Sequence, residues 1–373
     1  MKRITAIIAS FALTAFAALS LAGPANAAGE TTEMNLLMPS AGGSLFKEAA
    51  KPVNWRVETQ VNAPGATILP MKNANLTMPQ ELSFTPDPDM PVCGDDKIGP
   101  PPTNVSITVP EAIERCPDSI IGNGLATFAL AQQTALGRDG VMIVFNGGLQ
   151  NGNARLKVYA YSYDTGVGLY TEAVLQDDGS LDFAIPQLTA DSSVTSLNLN
   201  IPGETTSLFV ASQDITVTLP PGDDPLYAQA TCKTNSWSWG GEFLLGQRDT
   251  LGNPTSPTTT LTNSGATDCV GATGKGKFAN LKIKGPASVK KGKKGTYKVK
   301  VKNTGTATAK SVKLKVTGKG VSGKASGGNI APGKSKTIKV KVKFAKKGKI
   351  KTTFKVTGKQ ASAKTGKKTI RVK

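Results

Sequence analysis

The chain of 373 residues contains no histidine. Ser-His-Asp and Cys-His nucleophilic arrangements, histidine zinc sites and imidazole acid–base chemistry are therefore closed to it. Ser44-Leu-Phe-Lys47 fits the S-x-x-K spacing of an acyl-transfer serine, and Lys364-Thr-Gly366 fits K-T-G. The companion S-D-N is missing, and the two matches lie in regions of opposite charge. Asp87, Asp89, Asp95 and Asp96 cluster around Cys93, and Asp177, Asp178 and Asp182 around a glycine turn. Neither set has the spacing of a calcium loop, and turn or solvated-loop roles account for both. No catalytic, cofactor-binding or metal residue is assigned, and the chain reads as non-enzymatic.

Two other groups remain. Trp237 and Trp239 alternate in Ser236-Trp-Ser-Trp-Gly-Gly241, which places both rings on one face of a strand. There they either stack on sugar rings or fill a core beside Cys232, and core packing is the favoured role. The other group is a set of lysines alternating with apolar residues near the C-terminus.

The elements that carry these residues follow from charge and cysteine usage. From Gly271 to Lys373 there are 31 lysines, Arg371 and no acid, a charge of +32. Residues 28–270 hold all 26 acids and carry −15. Composition therefore divides the chain into an acidic β-rich domain over 28–270, a Gly/Lys linker over 271–277 and a lysine-rich domain over 278–373. Residues 1–27 read as a signal peptide. Lys2 and Arg3 precede an apolar run from Ile4 to Ala22, and Ala25-Asn26-Ala27 supplies a small-residue cleavage site after Ala27. The mature protein is expected to be secreted, with no membrane span after cleavage.

Cys93, Cys116, Cys232 and Cys269 make an even count in an exported chain, which favours two disulfides. Of three possible pairings, Cys93–Cys116 with Cys232–Cys269 closes the shortest loops and is expected. A zinc site is disfavoured, because there is no CxxC spacing and no histidine to complete a tetrahedron.

In the basic region the alternation is clean. Tyr297, Val299 and Val301 interleave with Lys298, Lys300 and Lys302, and Val312, Leu314 and Val316 with Lys313 and Lys315. Ile338, Val340, Val342 and Phe344 interleave with Lys339, Lys341 and Lys343, while Phe354 and Val356 flank Lys355. Period two means strands with one buried face and lysine on the other. Turn clusters at Asn303-Thr304-Gly305, Thr317–Gly320, Ala331-Pro332-Gly333 and Lys347-Gly348 separate them. Six or seven short strands in about 100 residues fit an immunoglobulin-like β-sandwich.

The run Lys300-Val-Lys-Asn-Thr-Gly-Thr-Ala-Thr-Ala-Lys-Ser-Val-Lys-Leu-Lys-Val316, with Ile330-Ala-Pro-Gly-Lys-Ser-Lys-Thr-Ile-Lys-Val340, resembles the CARDB family (cell adhesion related domain found in bacteria). That resemblance implies a sandwich acting as a spacer or adhesion module on an exported protein. The lysine density goes beyond an ordinary member.

The acidic region is also β-rich. Strands are expected at Val141–Phe145, Leu156–Tyr163, Leu181–Ile185, Ser196–Ile201 and Ile215–Leu219. Hairpin turns are expected at Asn146-Gly147-Gly148, Asn151-Gly152 and Asp178-Gly179, and a short helix at Pro110–Arg115 with Thr108 and Glu111 as a capping box. The cysteine order, Cys116 ahead of Gly122-Asn-Gly124, and Phe145-Asn-Gly147 are similar to a group of uncharacterised exported actinobacterial proteins. That resemblance covers about residues 60–270, supports neighbour disulfides and brings no activity.

The fold class expected is thus all-β, a disulfide-stapled sandwich-like domain followed by an immunoglobulin-like sandwich. The leading function is surface-associated binding or adhesion. The lysines 298, 300, 302, 313, 315, 339, 341, 343 and 355 would hold the protein on anionic cell-envelope polymer or another extracellular polyanion. The equal-weight reading is that they blunt sheet edges and keep the domain soluble, and a third is that the acidic domain docks on them. Lysine outnumbers arginine 31 to one there, so bidentate readout of a specific nucleic acid is not expected. The alternatives are a carbohydrate-binding or carbohydrate-active protein working through the acidic domain, and a structural coat or spacer protein.

Overall fold

The computed structural model describes residues 29–38, 44–63, 68–100, 107–130, 137–186, 192–248 and 254–373. The expected signal peptide and the expected cleavage site after Ala27 lie outside the described residues. The molecule is nearly all β, with 63 % strand and 3 % helix.

Seven antiparallel strands form the main sheet of the acidic region. Their order is Thr31–Leu37, Trp55–Asn62, Ser193–Ile201, Ile120–Ala129, Gly137–Gln150, Asn153–Ser162 and Val167–Val174. A four-stranded antiparallel sheet, ordered Ser180–Ala184, Met71–Thr77, Ser236–Arg248 and Pro254–Asp268, packs on one face of it. Trp55, Leu76, Phe128, Met142, Leu156, Phe183 and Phe243 fill the space between the two.

The interior position of Gly137–Gln150 in the sheet explains why Val141–Phe145 is apolar without interruption. Met142 and Val144 point into the inter-sheet core, while Val141, Ile143 and Phe145 point to the opposite face. That second face is covered by the helix Val109–Arg115 and the Cys93–Cys116 loop. A strand buried on both faces has no solvent side on which to alternate. The helix opens as expected: Glu111 N donates to Thr108 Oγ1, and Thr108 N to Glu111 Oε2 at 2.6 Å.

One turn assignment needs correction. Asn151-Gly152 and Asp178-Gly179 turn the chain between strands, but Asn146-Gly147-Gly148 is a bulge inside Gly137–Gln150. Asn146 holds the bulge, accepting from Gly148 N at 3.0 Å and donating to Pro91 O at 3.1 Å. The side chain thus satisfies backbone groups that the broken ladder leaves free.

The basic region forms one nine-stranded sheet folded over a single core. Its long strands are Lys294–Lys302, Ala309–Gly318, Val321–Ile330, Ser335–Phe344, Gly348–Lys359 and Ala361–Val372. The core holds the apolar partners of every lysine-bearing strand, and the Tyr297 and Phe354 ring centroids lie 5.5 Å apart across it. Val321–Ile330 carries the fold between the halves. It pairs along most of its length with Ala309–Gly318, but with Ser335–Phe344 at Val321 and Ser322 alone. Glycines permit that crossing: a Cβ on Gly327 would meet Ile338 Cδ1 at 2.6 Å, and one on Gly323 would meet Lys341 O at 3.1 Å.

Residues 271–277 are tied at both ends. Gly271–Ala272 pairs with Leu45–Phe46, and Gly276–Lys277 pairs with Ala361 and Ser362. Across this junction Glu48 Oε2 accepts from Thr308 N at 2.6 Å, and that bond holds the carboxyl below its usual range. The Asn-x-Gly turn beside it has a structural purpose. Buried Asn303 donates to Ala307 O and Ile330 O at 2.8 and 2.9 Å, and accepts from Lys277 N and Gly305 N at 3.0 and 2.9 Å.

Candidate functional site

All nine candidate lysines are exposed, and the residues between them are buried. Register then decides which lysines meet. Lys284, Lys298 and Lys339 stand opposite one another across three strands, and Lys324, Lys315 and Lys355 form a second such row. Lys300 faces Lys282 and Thr337, and Lys343 faces Lys294 and Ser322. Lys302, Lys341 and Lys313 stand opposite Ser335, Thr296 and the pair Ser326 and Thr357. The sheet therefore stacks like charges side by side, an arrangement that opposes folding by a few tenths of a kcal/mol per pair.

No acid exists in this region to relieve the repulsion. Among the described residues, every ion pair lies in the acidic region. The four aromatic residues of 278–373 (Phe278, Tyr297, Phe344 and Phe354) are at most 3 % exposed. No ring is free to stack on a base or a sugar, so this surface can recognise a ligand by charge and hydrogen bonding alone. Burial also pushes the Tyr297 phenol up to about 12.

The tryptophans are placed differently. Trp237 is 2 % exposed, with Nε1 donating to Thr231 O at 2.9 Å. Its ring faces are covered. Trp239 is half-buried against the same core, lies across from Gly265, and donates to Thr267 Oγ1 at 3.0 Å. The cysteines are joined as Cys93–Cys116 and Cys232–Cys269, with Cα separations of 5.6 and 5.9 Å. Such bonds belong to an oxidising compartment. Among the described residues, no helix is long and apolar enough to cross a membrane.

Acids of the two clusters are taken up by hydrogen bonds and ion pairs within the fold. Asp178 accepts from Ser180 N and Oγ across its turn, and the hydroxyl bond holds its carboxyl low. Asp87 accepts from Asp89 N and donates its own N–H to Asp224. Among the described residues, no three His, Cys, Asp or Glu side chains gather as a metal site. Ser44 and Lys364 sit in different sheets' surroundings, with Ser44 O accepting from Lys51 Nζ at 2.9 Å.

Sequence reasoning missed Lys157. Its side chain is fully buried on the outer face of the main sheet, where Nζ donates to Cys93 O at 2.8 Å and Ile98 O at 2.7 Å. Asp95 lies 2.5 Å away and also pairs with Arg155 at 3.0 Å. The bond from Lys157 holds the Asp95 carboxyl below its usual range. The ammonium thus pins the disulfide loop as a bound cation would. A lysine in an otherwise apolar strand, Leu156-Lys-Val-Tyr159, was the available signal.

A disulfide-stapled β region joined to a lysine-faced β-sandwich without exposed aromatics defines a modular, disulfide-bonded all-β protein. Within it, residues 278–362 match the CARDB family model, in agreement with the resemblance seen in the sequence. No curated protein matches the chain in sequence. Among solved structures, red sea bream transglutaminase is 10 % identical, with a TM-score of 0.24, over 91 % of this chain and 31 % of that one. A trypsin-activated alpha-2-macroglobulin from Escherichia coli is 10 % identical, with a TM-score of 0.21, over 91 % of this chain and 18 % of that one. A protein of unknown function from Porphyromonas gingivalis W83 is 11 % identical, with a TM-score of 0.17, over 91 % and 97 %. The chain thus spans less than a third of the transglutaminase and less than a fifth of the macroglobulin.

Proposed function

We propose that this is an exported, non-enzymatic, surface-associated binding protein whose basic sandwich holds it on anionic envelope polymer. The observation that carries this reading is the register of the lysine rows. Directly opposed like charges cost stability, and a face that needed solubility alone would be served by mixed charges. A polyanion lying across Lys284–Lys298–Lys339 or Lys324–Lys315–Lys355 removes the repulsion and releases its own counterions. The CARDB match supports an adhesion role for the same region. The disulfide-stapled acidic domain is the part so displayed.

The test is retention of the full-length protein on cells across a salt series, beside a variant with the nine candidate lysines changed to glutamine. Wild type should bind at low salt and elute as salt rises, because screening weakens contacts between exposed charges. The variant should wash off throughout. Equal retention of the two proteins at low salt would sink the reading and move attention to the acidic domain.

A further inference from the structure

The lysine surface is not uniform. Where Val321–Ile330 parts from Ser335–Phe344, a groove of about 370 Å³ opens between the two halves of the sheet. Lys294, Lys341 and Lys343 line it from one half, and Lys315 and Lys324 from the other. Two directly opposed pairs, Lys294 with Lys343 and Lys315 with Lys324, thus point into one concavity. The opposed hydroxyl residues Thr317 and Ser322 also line it.

We infer that this groove is a discrete seat for consecutive phosphate groups of a linear phosphate polymer. The inference rests on the polyanion reading above and deepens it. At about 30 Å³ per water the space equals about a dozen waters, room for more than one oxyanion. Five lysines lining one groove, four of them in directly opposed pairs, call for several negative charges at short spacing, which adjacent phosphates supply and widely spaced sugar carboxylates do not. Lysine binds phosphate as a point charge without demanding bidentate geometry, and the hydroxyls add neutral donors. With every aromatic ring of the sandwich buried, bases and sugar faces contribute nothing to selection. Gly323, whose Cβ would press on Lys341 O, keeps the two strands close where they diverge.

The experiment is titration of labelled inorganic polyphosphate and of poly(glycerol phosphate) against the full-length, disulfide-intact protein at about 0.1 M salt, with polygalacturonate as the carboxylate probe. The groove variant carries Lys294→Gln, Lys315→Gln, Lys324→Gln, Lys341→Gln and Lys343→Gln. A control of equal charge carries Lys336→Gln, Lys347→Gln, Lys349→Gln, Lys359→Gln and Lys367→Gln, all exposed and outside both the groove and the lysine rows. A slope of about 0.7 per flexible-chain phosphate contact makes five contacts worth at least about 100-fold in affinity and about 3.5 units of salt slope. The groove variant should lose that much, and the control less than about fivefold. Binding of both phosphate probes supports recognition of the shared phosphate chain, and preference for one identifies the source. Equal losses in the two variants, or tighter binding of polygalacturonate, would overturn the groove while leaving the polyanion reading intact. No binding of any probe by wild type would overturn both.

Discussion

Replacing Lys315 with glutamate should stabilise the sandwich while weakening its hold on polyanions. Lys315 stands opposite Lys324 on one neighbouring strand and Lys355 on the other. Directly opposed Cβ atoms are about 5 Å apart, and long side chains leaning apart put the ammoniums about 7 Å from each other. In water that separation costs about 0.6 kcal/mol per pair before screening. About four-fifths of it survives at 10 mM salt, two-fifths at 0.15 M and a tenth at 1 M. Reversing one charge converts two repulsions into attractions, a swing of about 2 kcal/mol at 10 mM and about 1 kcal/mol at 0.15 M. Exposed side chains that move freely realise no more than about half of this. The expected gain is therefore about 1 kcal/mol at 10 mM, or about 4–8 °C in the melting temperature of a domain of this size. Calorimetry of the full-length protein at three salt concentrations reads it, together with polyanion affinity in the same buffers. A destabilised variant, or a gain as large at 1 M salt as at 10 mM, would refute the electrostatic reasoning.

Lys157→Met should lower stability by about 3 kcal/mol or more in urea titrations. The carbonyls of Cys93 and Ile98 would be left buried without a donor, and a loss under about 1 kcal/mol would show that the loop relaxes freely. Because the Asp95 carboxyl is held low by Lys157, its contribution is present above the ordinary aspartate range and disappears as pH falls through the folded value. Asp95→Asn should flatten that part of the acid limb. Asn303→Ala should cost the sandwich about 3 kcal/mol, since four backbone groups lose their partner. Calorimetry should locate the loss in the transition of the basic region, leaving that of the acidic region in place.

Much was legible in the chain itself. Alternation of Lys298, Lys300 and Lys302 with Tyr297, Val299 and Val301 specifies which side of a strand meets water, because side chains alternate every residue. Cysteine parity and loop length led to the disulfides, and Thr108 with Glu111 to the helix start. Each of these is a local property, readable within a few residues or from counting. The lysines as a set were legible for the same reason.

What tertiary structure decided is who stands beside whom. Val321–Ile330 is rich in glycine and serine and gives no strand signal, yet it joins the two halves because its missing side chains let it cross Ser335–Phe344. Lys157 was one more charged residue until the Cys93–Cys116 loop closed over it and supplied carbonyls. Asn146 and Gly147 belong to a bulge because the partner strand, not the turn chemistry, fixes the register there. Above all, the pairing of Lys315 with Lys324 and of Lys294 with Lys343 depends on strand register over long sequence separations. A period of two reports the face of a strand, and says nothing about the neighbour across it.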